Sequence, residues 1–264
     1  MNQRIVIVGA GNVATHLART MKKKGIVPTQ IWSRSLASAS ILANDIGSLP
    51  VTCFDEVIDD ADMYIISVPD QALSEVVRQL CSKKRNGVFV HTSGTMSMDV
   101  FDGNTEHYGV LYPMQTFSKQ KTIDFSVVPC FLEASDARTL SLIRNVACLL
   151  SDNLYELSGE DRRWLHVAAV FACNFSNACY AMAARILEQH GLQFNVMLPL
   201  LKETIGKLQY MSPSEAQTGP AIRGDKNVMD KHLTMLNEQI DLKNVYKILS
   251  DEIEKQSYKN IKKL

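Results

Sequence analysis

The sequence has no surplus of charge. Its 28 Lys and Arg residues balance 28 Asp and Glu. Nor is there a local surplus: residues 1–157 hold 14 basic and 16 acidic side chains, which leaves 14 and 12 for the remainder. Gripping a phosphate backbone takes a clustered positive excess, so a nucleic-acid partner is not expected. Uninterrupted apolar runs of about 18–20 residues, the length of a membrane span, are missing too. The run that follows Met1-Asn2-Gln3-Arg4 is only Ile5-Val6-Ile7-Val8. That is too short for the apolar region of a signal peptide and reads as a first strand. The six cysteines are scattered, with no Cys-x-x-Cys pair. They read as small core side chains in a reducing compartment, with no disulfide framework and no metal site. A cytoplasmic protein without a membrane partner is the expectation.

What is present is a βα alternation. At 264 residues the chain is long enough for two domains. Short β-rich runs (Ile5–Val8, Thr29–Trp32, Pro50–Cys53, Met63–Val68, Gly87–His91, Val110–Tyr112, Val127–Leu132 and Leu154–Leu157) alternate with amphipathic stretches. Those stretches fall at about Asn12–Lys24, Leu36–Asp45, Ala72–Lys84 and Ala134–Leu150. Nearly continuous apolar strands must be covered on both faces, which predicts a doubly wound, Rossmann-like parallel sheet. From Gly159 onward no strand is evident. A long helix is expected over Glu160–His190, then helices at about Phe194–Gln209, Lys226–Asn237 and Asp241–Lys262. The fold class is thus α/β followed by an all-helical C-terminal domain, with domains at 1–157 and 158–264.

Gly9-Ala10-Gly11-Asn12-Val13-Ala14 sits between the first strand and the first helix. In that place the first glycine permits the tight turn and the second lets backbone approach a pyrophosphate. The small third residue lets helix pack on strand. The free N–H groups and positive dipole end of the helix attract the anion. An acidic residue at the end of the second strand, the usual partner of an NAD ribose, is lacking. Trp32-Ser33-Arg34-Ser35 stands there instead. Arg34 can pair with a 2′-phosphate, with Ser33 and Ser35 as hydroxyl donors, so NADP is the expected cofactor. Ser35 also suits the cap of the second helix. Val68 and Pro69, at the carboxyl end of the fourth strand, are expected to border the cofactor, and Ser93 after the fifth strand to lie near the nicotinamide. Tyr112–Phe117 is a further candidate lining of that pocket.

The long helix is apolar nearly all round, which predicts burial in the second domain or in a dimer. Yet Arg163, His166, Asn174 and Asn177 interrupt it. At about 100° per residue they fall at about 60°, 0°, 80° and 20°, on one face. His166 is the candidate proton donor and Asn174 a candidate catalytic anchor; Asn177 is a candidate substrate contact. In Thr218–Asp225, Arg223 is a candidate clamp for a substrate anion, and Asp225 suits the cap of the helix that begins at Lys226.

Taken together, the Gly9–Ala14 turn, Trp32–Ser35, Val68-Pro69-Asp70, His91-Thr92-Ser93-Gly94, Pro113–Phe117, Thr218-Gly219-Pro220 and Arg223-Gly224-Asp225 resemble a bacterial family of predicted NADP oxidoreductases. That family joins a Rossmann-like domain to a helical C-terminal domain of unassigned function. The N-terminal half is also similar to deazaflavin (factor 420)-dependent NADP reductases and pyrroline-5-carboxylate reductases. The resemblance implies an NADP-dependent enzyme, homodimeric through its C-terminal helices. It would pass hydride between NADP and a small carbonyl, imine or flavin-type acceptor in an interdomain cleft. The chain departs from β-hydroxyacid dehydrogenases, which carry Lys four residues before an Asn on the long helix; here Val170 holds that place before Asn174. The lack of that pair keeps a non-catalytic NADP sensor or scaffold open as an alternative, beside an imine reductase of the pyrroline-5-carboxylate type.

Overall fold

The computed structural model describes residues 3–261, with side chains described through residue 256. Met1, Asn2 and Lys262, which the readings above included, lie outside that range. Contacts divide the chain into two compact units, Met1–Cys173 and Asn174–Leu264.

The first unit is built on eight strands: β1 (Ile5–Val8), β2 (Gln30–Trp32), β3 (Leu49–Val51), β4 (Met63–Ile66), β5 (Val88–His91), β6 (Tyr108–Pro113), β7 (Cys130–Ala134) and β8 (Leu154–Glu156). They form one sheet in the order β3-β2-β1-β4-β5-β6-β7-β8. Pairing is parallel except between β6 and β7, which run antiparallel, with Leu111 opposite Leu132. The sheet is therefore mixed where an all-parallel one was expected. Val127 and Val128 drop out of β7: Phe125–Val127 forms a 3₁₀ turn that delivers the chain to the antiparallel edge.

The sequence of β1 shows how the layers arise. Successive side chains of a strand point to opposite faces. Ile5 and Ile7 join one buried cluster, with Ala14, Leu17 and Met21 of α1 (Asn12–Lys23), Leu42 and Ile46 of α2 (Leu36–Ile46) and Ile143 of α4 (Ala137–Leu150). Val6 and Val8 join the other, with Leu73, Val77 and Leu80 of α3 (Asp70–Leu80). Helices thus cover both faces, as the apolar strands demanded.

Local chemistry sets the helix starts. Ser35 caps α2 by accepting from Ser38 N–H. Asp136 does the same for α4 through Thr139 N–H. Helix α5 (Gly159–Ala169) is capped by Ser158, which accepts from Asp161 N–H. All six cysteines are free.

A π-helical turn, Val170–Phe175, follows α5 directly. The second unit continues with α6 (Ser176–Gln189), α7 (Leu198–Lys207), α8 (Lys226–Met235) and α9 (Ile240–Ile261). Phe194–Met197 is a 3₁₀ turn ahead of α7, so the helix read over Phe194–Gln209 is shorter and begins with a tighter segment. Asp225 caps α8 through Val228 N–H, as read. This unit buries few of its own apolar side chains. Leu192, Leu198, Leu200, Ile205, Leu208, Met235 and Ile240 are exposed, while Leu187 and Leu242 are buried. The continuous helix Gly159–Gln189 is long and apolar enough, by length and composition, to cross a membrane. A count of unbroken apolar runs misses it because single polar residues interrupt it. Its most apolar 18-residue stretch is not buried within the chain, while Arg162 and Leu187 are.

Candidate functional site

A cavity of about 570 Å³ opens at the carboxyl ends of β1, β4 and β5, and every residue lining it belongs to the first unit. The strand order reverses at β1, the place where doubly wound sheets hold ligands. Gly9, Ala10, Gly11, Asn12 and Val13 form its floor. Gly9 has φ +128°, and a Cβ there would stand 2.0 Å from the Ser67 carbonyl oxygen, so no other residue fits between β1 and β4. A Cβ on Gly11 would meet nothing within 4 Å: the space beside the helix start is open to a ligand. Helix α1 has no side-chain cap and no acidic residue in its first turn. Its free N–H groups face an anion-sized opening, which fits a pyrophosphate.

At one end of the cavity lie Trp32, Ser33, Arg34 and Ser38. Arg34 is exposed, with its guanidinium available to a 2′-phosphate. Ser35 is not part of the lining: its hydroxyl is taken by the α2 cap. Ser38, one turn into α2, lines the cavity and was missed by the sequence reading, because its helical position hid that it faces back toward β2.

Val68, Pro69, Asp70, Thr92, Ser93, Gly94 and Thr95 line the middle of the cavity. The Ser93 hydroxyl is committed within its own turn. It accepts from Thr95 N–H at 3.1 Å and from Met96 N–H at 3.0 Å, and lies 3.2 Å from the Thr95 hydroxyl. Thr95 Oγ1 in turn donates to Asp70. His91 is fully buried and accepts from Ser93 N–H through Nδ1 at 3.2 Å. Burial, seconded by the Arg162 charge, pushes its pKa down to about 3, so it is a neutral structural acceptor.

Tyr112, Pro113, Gln115, Phe117 and His166 also line it. Tyr112 Oη lies 3.1 Å from His166 Nδ1, which joins the end of β6 to α5. Burial raises the Tyr112 pKa, and the Arg162 charge opposes the rise. A Cβ on Gly94 would stand 2.6 Å from His166 Nδ1 and 2.8 Å from Tyr112 Cζ, so any larger residue would displace this pair. The pairing was invisible in sequence: 54 residues separate the partners.

Asn174 opens the second unit; Asn177 lies on α6 and Arg223 in the loop before α8. Asn174 and Asn177 are exposed. The π-helical turn has a smaller angular step than an α-helix, so the straight-helix face count from His166 to Asn174 and Asn177 does not carry through it. Among the described residues no group of three or more His, Cys, Asp and Glu is arranged to hold a metal.

Residues 2–114 match a Rossmann-like domain model, and residues 128–253 match a domain of unknown function, DUF2520. No curated protein matches the sequence. The solved structures include a candidate NADP oxidoreductase from Bacteroides fragilis, 43% identical over 96% of this chain and 98% of that one, with a TM-score of 0.92. A protein from Thermotoga maritima is 22% identical over 96% and 98%, with a TM-score of 0.81. A reductive aminase from Aspergillus terreus, in complex with NADPH and ethyl-5-oxohexanoate, shares the fold at 16% identity, covering 96% and 95% with a TM-score of 0.71. On the strength of the first likeness, the chain belongs to the family of the Bacteroides fragilis protein, a Rossmann-like domain followed by the DUF2520 domain.

Proposed function

We propose that the chain is an NADP(H)-dependent oxidoreductase that reduces a small carbonyl or imine, with a flavin-type molecule as the other acceptor class. One observation carries this reading: a single cavity joins an uncapped glycine turn, an exposed arginine with two serines, and a partly buried tyrosine–histidine couple. The Gly9–Val13 turn would hold the pyrophosphate, and Ser33, Arg34 and Ser38 the 2′-phosphate. Val68 and Pro69 would border the cofactor beyond them. When bound, NADPH supplies the hydride, which goes to the carbon of the C=O or C=N group. His166 supplies the proton that the oxygen or nitrogen takes up, and Tyr112 holds the imidazole in place. Asn174 and Asn177 would orient the substrate, and Arg223 would meet an anionic group on it.

We also infer that two copies associate through the C-terminal helices in the cytoplasm. The exposed apolar side chains of α7, α8 and α9, and those of the Gly159–Gln189 helix such as Trp164, Val167 and Ile186, support this. Light scattering on the purified chain tests it. A dimer without detergent is expected, and a monomer, or a requirement for detergent, contradicts it.

The enzymatic reading is tested by following NADPH oxidation against ketones, cyclic imines and flavins. Turnover with at least one class, faster with NADPH than with NADH, is the expected result. Tight NADPH binding with no oxidation by any acceptor would point instead to a cofactor-sensing protein.

A further inference from the structure

The largest side chain shut away from solvent is a charged one, Arg162, only 1% exposed. Its guanidinium pairs with Glu133 of β7 and donates to the Met96 carbonyl at 2.6 Å. Glu133 also accepts from Gly159 N–H at 2.8 Å, at the first turn of α5. Burying such a pair is costly, and apolar replacements of similar volume commonly leave a fold as stable or more so. Stability alone is thus a weak reason for it.

Its position suggests another. The Met96 carbonyl closes the turn whose Gly94 packs on Tyr112 and His166. Four residues after Arg162, one helical turn on and on the same face, stands His166. The pair therefore ties together the three elements that must meet at the cavity wall: α5, the Ser93–Met96 turn and the β6–β7 ladder.

We propose that Arg162, held by Glu133, is a positioning residue that clamps α5 to the Ser93–Met96 turn, so that His166 and Tyr112 meet across Gly94. This rests on the reading of His166 as the proton donor, so the test includes measurements that need no turnover. The titratable groups on the elements packed against Tyr112 are His91 on β5, Cys130 and Glu133 on β7, and Arg162 and His166 on α5. The other charged side chains of α5, Glu160, Asp161 and Arg163, are exposed.

The experiment uses the full chain with Arg162→Met and the nearly isosteric Glu133→Gln. Two signals are read: the ring-nitrogen chemical shifts of His166, assigned with His166→Gln, and the ionisation of Tyr112 by absorbance against Tyr112→Phe. Removing the guanidinium should raise the Tyr112 pKa, whereas removing only its counter-charge should lower it, each by roughly half a unit or more. Those opposite signs report only the charges beside Tyr112; the clamp itself is read from the His166 tautomer, which a merely structural pair would leave unchanged. In Arg162→Met the His166 nitrogens should lose a single tautomer, and turnover should fall about a hundredfold with NADPH affinity kept. Folded variants with an unchanged His166 tautomer would overturn the proposal. Should Arg162→Met not fold, Glu133→Gln, which frees the guanidinium from its partner, decides by the His166 tautomer. If both signals shift as expected but His166→Ala keeps full turnover, the clamp stands and the proton-donor reading fails.

Discussion

The hydroxyl of Tyr112, at the end of β6, lies 3.1 Å from Nδ1 of His166 on α5. A phenol that donates to Nδ1 would leave Nε2–H as the donor of the ring. Tyr112→Phe removes the group that sets this tautomer, and His166→Ala removes the proton itself. Loss of a positioned acid costs about 10²–10⁴-fold. His166→Ala is expected to lower turnover within that range and Tyr112→Phe by less, both with NADPH dissociation constants within about threefold of the parent, read by calorimetry. Full turnover in both variants would remove the couple from the chemistry.

Cofactor choice is expected to follow the serine–arginine cluster. Arg34→Ala deletes a charge-assisted bond of about 1.5–3 kcal/mol, or roughly ten- to a hundredfold in affinity. The loss should appear for NADPH and be nearly absent for NADH. Ser38→Ala should show a smaller loss of the same selectivity, and Ser35→Ala should act on the α2 cap instead, lowering the melting temperature without selectivity. Equal losses for both nucleotides in Arg34→Ala would refute the 2′-phosphate assignment.

Gly94→Ala places a methyl group 2.6 Å from His166 Nδ1. The imidazole must then move or the turn must shift. Turnover should fall about a hundredfold while NADPH still binds, because the atoms nearest the added methyl belong to His166 and Tyr112. A parent-like rate would show that the Tyr112–His166 contact is dispensable.

His91 provides a pH signature. Its folded pKa lies near 3, below the ordinary imidazole value of 6.5. Between those values the unfolded chain binds a proton that the native state refuses, so stability is fully present above 6.5 and falls as pH drops toward 3. One such group accounts for at most about 1.4 kcal/mol per pH unit. Between pH 6.5 and 5, above the ordinary carboxylate range, His91→Asn should flatten the decline in denaturation midpoint while its amide oxygen still accepts from Ser93 N–H. A slope identical to that of the parent would exclude His91 as its source.

Much of the fold was legible because its signals are local. The alternating Ile5–Val8 strand, the glycines at 9 and 11, the capping Ser35 and Asp225, and the absence of an acid after Trp32 each act within a few residues. The β7 reversal was hidden because strand direction depends on where the following helix packs. The π-helical turn was hidden because an apolar run reads the same in either helical form.

Sequence alone determined the Gly9–Val13 turn, the lack of an acid after Trp32 and the βα frame, since close backbone approach, charge and apolar periodicity are properties of neighbouring residues. Only tertiary structure decided that His166 meets Tyr112, that Ser93 spends its hydroxyl on its own turn, and that the buried Arg162 pairs with Glu133. Each of those depends on chain segments brought together by sheet order, and electrostatics acts through space regardless of how many residues lie between.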